Sequence, residues 1–295
     1  MNKFMRAIGF SRQLKRKELS ALIAYEIHQC DQRAYTSNDE DEDSILAQYD
    51  LSMGGPFGIC VCGQFDENDQ FFPDYWYPYL RSDEISSGEG ISVEPRIDND
   101  TYAGVCEDLR VGVTLIFRLQ NTVEYLKNTH TSFQPLQGAS VSLAALSTEG
   151  TILMPLYKTQ EEEQRSTEER DYKVEQLRKA KNGDDEANRV LTAMDMEQYA
   201  GLMSQIRRND IYTMVESYLM PYGAECELYS LLGEIRKISE FRNKVSDEKV
   251  YVLRVDCNGL CMDVMINQED LYGEPEIGRR FRGSIWMQGR IHFTN

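Results

Sequence analysis

The chain has 295 residues, 41% of them hydrophobic and 27% charged, a length of about two domains and a globular balance that excludes wholesale disorder and collagen-like repeats. Forty-nine Asp and Glu against 32 Lys and Arg give a net charge of −17. That disfavours generic nucleic-acid binding, which draws its affinity from Lys and Arg on phosphates.

The charge is uneven. Residues 1–36 hold 7 basic and 3 acidic residues, whereas 37–110 hold 18 acidic and 3 basic ones, Arg81, Arg96 and Arg110. The basic start (Lys3, Arg6, Arg12, Lys15, Arg16, Lys17) lacks the apolar core of a signal peptide. No apolar run approaches the ~20 residues of a membrane helix. Seven cysteines, odd in number and thinly spread, are too few for a disulfide scaffold. The expectation is a cytoplasmic protein with reduced thiols.

In chain order, residues 4–10 read as a short apolar strand. A helix capped by Ser11 follows, with Leu14, Leu19, Leu22, Ile23 and Ile27 at helical spacing. The acidic run at 38–43, which lacks the spacing and glycine of a calcium loop, ends it as a solvated loop. Strands are expected at 57–65 and 71–80 around a turn at 66–69, and then at 91–97, 102–106 and 111–119. A short helix at 121–127 precedes a second hairpin, 140–146 and 151–157, turning at Thr148, Glu149 and Gly150. Residues 160–181 are almost wholly polar, as in a solvent-exposed connector helix, and Asn182 with Gly183 breaks them. Helices at 186–194, 197–207 and 211–218 run on to Pro221 and Gly223. A long strand at 226–241 bent at Gly233 comes next. A hairpin at 250–256 and 260–266 around Asn258 and Gly259 and a glycine-bent last strand at 281–291 complete a small curved β-barrel of OB type, or a meander.

The expected class is α+β, in three parts: an N-terminal mixed α/β sheet domain of paired β-α-β units over 1–157, a helical connector over 158–222, and a C-terminal small β domain over 223–295. In its order of strand, short helix and glycine-turn hairpin, the segment 111–157 resembles the half-domains of the vicinal-oxygen-chelate fold. That likeness implies a small-molecule enzyme using a divalent metal held by His and Glu on inward-facing strands. Glu107 and Glu149 are the nearest carboxylates and neither has a histidine near in sequence, so a metal-free binding version is the expected form. The stretch DLYGEPEIGRRFRGSIWMQG at 270–289, with FMRAIGF at 4–10, is similar to a family from anaerobic Gram-positive bacteria known as a domain of unknown function. The similarity implies a bacterial, cytosolic setting over nearly the full length and carries over no catalytic residue.

Chemistry-bearing residues are sparse. His28, His130 and His292 follow no ligand spacing. Cys60 and Cys62 share one strand face, and Cys257 and Cys261 flank a turn; packing is their expected role. The glycine-rich 54–58 precedes a strand and reads as a turn, and no nucleophile elbow, Walker loop or dinucleotide fingerprint occurs. No catalytic residue, metal ligand or cofactor is assigned.

Two groups remain as ligand-binding candidates. On a strand, Tyr75, Tyr77 and Tyr79 point to one face and Trp76 to the other; such amphipathic rings suit a binding surface, the alternative being a packed sheet edge marked by Pro78. Arg279, Arg280, Arg282 and Trp286 form a basic-aromatic patch able to stack bases, although Asp270, Glu274 and Glu276 stand by as ion-pair partners. The leading reading is a non-enzymatic binding or interaction protein for an unknown protein or small-molecule partner, with no membrane. The alternatives are the vicinal-oxygen-chelate enzyme and a nucleic-acid-binding C-terminal barrel.

Overall fold

The computed structural model describes residues 2–12, 14–37, 45–96, 101–128, 136–156, 159–206, 215–223 and 226–293. The fold is mixed α+β with two sheets. The smaller is an antiparallel meander of β1 (Arg33–Ser37), β2 (Ile45–Ser52), β3 (Phe57–Phe65) and β4 (Phe71–Leu80). Helix α1 (Arg16–His28) precedes it and lies against one of its faces. The larger sheet comprises β5 (Ile91–Pro95), β6 (Tyr102–Cys106), β7 (Leu115–Leu119), β8 (Ser140–Leu153), β9 (Tyr218–Pro221), β10 (Leu228–Arg242), β11 (Lys249–Cys257), β12 (Leu260–Asn267), β13 (Leu271–Tyr272) and β14 (Arg280–His292).

Within the larger sheet five strands close on themselves. β10, β11 and β12 form an antiparallel meander, β12 runs parallel to β8, β8 pairs along its whole length with β14, and β14 returns to β10. β10 changes partner midway: 228–234 pair with β14 and 234–242 with β11. Gly233 sits at that switch, where a Cβ would approach the Asp256 carbonyl oxygen and the Val255 side chain to 2.5 Å. Only glycine lets the strand bend there without pushing its neighbour away. Alternate residues point inward, so Leu143, Leu231, Ile235, Leu253, Val255, Val264, Phe281, Ile285 and Met287 fill the ring interior. The intervening Ala144, Leu146, Val250, Val252, Met265 and Trp286 point outward into a second core shared with the meander and the N-terminal segment.

β7 touches β14 at only two register positions, 118 and 119 against 288 and 289. A tyrosine reinforces the joint: the Tyr229 hydroxyl accepts from Ile116 N–H at 2.7 Å and lies 3.1 Å from the Ile116 carbonyl. The short helix α2 (Thr122–Asn128) follows β7. Helices α3 (Gln160–Lys181) and α4 (Asp185–Ile206) turn back on each other at Gly183, whose φ is +90°, and Lys173 pairs with Asp195 at 2.8 Å. The C-terminal turn of α3 is held to the β5–β6 region by Arg178–Glu89 at 2.9 Å and by Lys181–Glu107.

Four local expectations are corrected. Residues 4–10 are not a strand: a 3-10 helix occupies Lys3–Arg6, and Phe4, Met5, Ala7 and Ile8 are all buried. A segment wedged between two layers buries every side, which a strand with alternating faces does not. Ser11 does not cap α1, because its N–H and hydroxyl both donate to Glu248; the helix starts at the N-cap Lys15, whose backbone N–H donates to the Glu18 carboxylate at 2.8 Å. The residues 148–150 do not turn a hairpin either. β8 runs straight through them with one extra residue, Thr148, bulged against β14. Hence, of the two expected β-α-β units, 4–80 lacks its opening strand and 111–157 its hairpin, and the two do not repeat one topology. Residues 186–206 form a single helix rather than two, and the acidic run at 38–43, His130 and residues 211–214 lie outside the described residues. Among the described residues, no helix is long and apolar enough to cross a membrane.

Candidate ligand-binding cleft

One face of the meander is only partly covered by α1, leaving a cleft of about 1190 Å³ between them. Strand alternation decides what lines it. On β2 and β3, Tyr49 and Phe65 face α1, and on β4 so do Phe71, Pro73 and Trp76. A bulge between Cys62 and Gly63 on the β3–β4 pairing inserts Asp74. It lets Phe71 and Trp76, five apart, serve the same wall. The opposing wall is the apolar stripe of α1, Leu19, Ile23 and Ile27, spaced four apart and therefore stacked on one helix face.

The aromatic floor is mutually packed. Tyr49 and Phe71 meet edge to face at 4.9 Å, Phe65 and Phe71 lie at 5.4 Å, and Tyr35 contacts both Tyr49 and Phe65. Rings held by one another lose little freedom when a ligand arrives. Charge is confined to the rim: Arg16 and His28 on α1, Arg33 at the start of β1, and Asp69 and Asp74 at the β3–β4 end. Burial, and then the hydrogen bond with Tyr35, hold the Tyr49 hydroxyl well above its ordinary pKa, so it stays protonated.

The aromatic candidates divide between two environments. Trp76 and Tyr75 are both half-buried and border the cleft, Trp76 with its ring on the α1 side and Tyr75 with its ring on the opposite face. Tyr77 and Tyr79 are buried on the other face, toward the ring. There Tyr75 and Tyr77 stack at 6.4 Å under the Arg118 guanidinium, which lies 4.7 Å from the Tyr77 ring centre. The basic candidates are dispersed. Arg279 pairs with Glu276 at 2.7 Å, while Asp270 is taken by Arg6 at 2.6 Å. Arg280 is buried and donates to the Met154 and Val215 carbonyls at 3.0 and 2.8 Å. Arg282 is exposed, and Trp286 is buried against Phe4 with ring centres 5.1 Å apart.

Sequence reading missed Tyr49, Phe65, Phe71 and the α1 stripe as site residues. The available signal was an amphipathic helix followed by aromatic strands, a pattern that serves a closed core and an open cleft alike. The remaining titratable groups are scattered. His292 accepts or donates to the Ser142 hydroxyl at 2.8 Å, its pKa lowered by burial and then by Arg290. Glu107 pairs with Lys181, and Glu149 accepts from Ser284. Among the described residues no group of three or more His, Cys, Asp or Glu is placed to hold a metal ion.

No curated protein and no solved structure matches the chain. A family model described as a domain of unknown function, E. rectale gene description, matches residues 5–289, and the chain belongs to that family, DUF3881.

Proposed function

We propose that this protein is a cytoplasmic, non-enzymatic binding protein that takes a small, largely apolar molecule into the cleft between α1 and the meander. The observation that carries the reading is the cleft itself. Its volume of about 1190 Å³ is on the scale of small-molecule sites, which run to about 1,000 Å³. Its floor is a set of rings fixed by a sheet, and the charged groups stand at the rim. Of the aromatic run, Trp76 is the ligand-contacting residue in this reading, joined by Tyr49, Phe65 and Phe71, while Tyr75 backs the sheet from the other face. Seven unpaired cysteines support a reducing compartment.

We read the closed five-strand ring as OB-like, its bent first strand being β10. In such barrels the outer face of the second and third strands receives oligonucleotides. Here the corresponding strands β11 and β12 turn Val250, Val252 and Met265 into a core with the N-terminal segment. Asn267 and Asn243 further fix that segment by donating to the Arg6 and Ile8 carbonyls. The covered face, with Arg279 and Arg280 already engaged, weighs against nucleic-acid binding.

The test is titration with Nile red, a neutral apolar dye, against the protein and against Ala24→Phe. Ala24 is an exposed residue of the α1 wall, so the larger side chain fills the cleft without entering the core. Saturable one-to-one binding that weakens by about tenfold or more in the variant is expected, from loss of the buried apolar contact. Unchanged binding in a variant with an unchanged melting temperature places the dye elsewhere and removes the cleft from consideration.

A further inference from the structure

We infer that the ligand of this cleft is an amphipathic carboxylate, its anionic head bound by Arg33 and the Tyr35–Tyr49 hydroxyl pair and its apolar tail laid over Phe65, Phe71 and Trp76. This deepens the reading above and rests on it.

The head-group site follows from register. Arg33 stands directly opposite Tyr49 across β1 and β2, and Tyr35 is two residues on, so all three project from the face that carries the cleft. The Arg33 charge acts on the Tyr49 hydroxyl, yet among the described residues the guanidinium has no hydrogen-bond or ion-pair partner. The two hydroxyls lie 3.2 Å apart, and either oxygen can donate to the other. In a pair of this kind one proton is used between the oxygens. The accepting hydroxyl keeps its own proton free for a further acceptor. An arginine fork beside a free hydroxyl proton is a donor set that matches the two oxygens of a carboxylate.

The direction of the ligand follows from charge. The carboxylates at the rim, Asp69 and Asp74, belong to the β3–β4 end, where they repel an anionic head. Arg33 lies at the opposite edge of the sheet, on β1. A head at β1 and a tail across β2, β3 and β4 satisfies both ends. A cationic head placed at β1 would be repelled by the Arg33 charge.

Three probes with the same ten-carbon tail separate the two levels of the argument: decanoate, decanol and decyltrimethylammonium, titrated calorimetrically into the full chain and into Arg33→Gln and Arg33→Lys. Expected is decanoate binding about tenfold or more tighter than decanol, the cation weakest of the three, as a charge-assisted hydrogen bond requires. Arg33→Gln removes about tenfold from decanoate and leaves decanol within about twofold, while Arg33→Lys keeps part of the preference. Equal affinity for all three probes in the parent protein, or equal weakening of decanoate and decanol in Arg33→Gln, overturns the carboxylate assignment and leaves the cleft standing. No binding of any probe to the parent protein overturns the cleft reading and the assignment with it.

Discussion

The indole N–H of Trp286 donates to Glu227 Oε2 at 2.7 Å, and Arg96 approaches the other oxygen of that carboxylate at 2.9 Å. Glu227 is itself buried, so the tryptophan satisfies a charge that water does not reach. Trp286 is thereby a packing anchor between the ring and the N-terminal segment. Its aromatic face is spent on Phe4 and, edge on, Tyr77.

Replacing Trp286 by Phe leaves that oxygen without its donor in a dry place. The expected loss is about 1–3 kcal/mol, the cost of an unsatisfied buried acceptor. Removing both partners together, Trp286→Phe with Glu227→Leu, is expected to cost less than the sum of the single changes, because no buried carboxylate is left without its donor and the partly exposed Arg96 guanidinium can turn to water. Chemical denaturation of the two singles and the double measures the coupling. Strict additivity would show the hydrogen bond to be energetically idle.

Asp108 makes the acid limb of stability readable. It is buried, and burial alone would raise its pKa. Hydrogen bonds from Arg110 and Ser87 outweigh that and hold the carboxyl below its ordinary value. Arg110 in turn donates to the Gly259 and Ser86 carbonyls at 2.7 and 2.8 Å, tying the β11–β12 turn to the segment after β4. A folded pKa below the unfolded one of about 3.9 gives stability that is complete above that value and lost as pH falls through the lower folded value. Asp108→Asn is therefore expected to melt well below the parent at neutral pH, with the gap closing as the pH drops below about 4. A gap constant from neutral pH to acid would mean that the charge of Asp108 contributes nothing.

Gly150 is the residue that most misleads a sequence reader. Beside Thr148 and Glu149 it looks like a turn glycine, but it lies inside β8, where an added Cβ would come within 2.5 Å of the Phe281 ring and 2.8 Å of Ile266 Cδ1. Its absent side chain makes room for Phe281 in the ring interior. Gly150→Val is expected to destabilise by about 1–3 kcal/mol through overpacking, and Gly150→Val with Phe281→Leu to recover part of that. A neutral single variant would restore the turn interpretation.

The same residue marks the limit of what the sequence carries. The strands 57–65 and 71–80, the helix 160–181 and the hairpin at Asn258 and Gly259 are legible because their signals are local: alternation, a break in charge texture, and two residues with positive φ of +56° and +84°. The bend at Gly233 is legible too. Closure of the ring is not, because β8 joins β12 and β14 across more than a hundred residues and its central glycine answers to Phe281, not to its neighbours in the chain. β1 and β2 escaped because 33–37 and 45–52 mix polar and apolar residues on both sides of an acidic run. The cleft shares that fate: Trp76 and Tyr75 stand out as residues, but the unfilled space beside them depends on how far α1 sits from the sheet.

The thiols provide a final check on both sheets at once. Cys60 and Cys62 face the ring side by side, their sulfurs 3.8 Å apart, and burial pushes the Cys60 thiol far up. Burial also pushes Cys106 up to about 11 and Cys257 up to about 12. Thiolate is the reactive form, so Cys60, Cys106 and Cys257 are protected by access and by protonation together, and Cys62 by its burial. Cys30, Cys226 and Cys261 are half-buried. Brief treatment of the native protein with iodoacetamide at about pH 8, near the ordinary thiol pKa, is expected to label only those three. All seven should be labelled after denaturation. Peptide mass mapping reads the outcome, and early labelling of Cys60 or Cys62 would mean that the meander separates from the ring in solution.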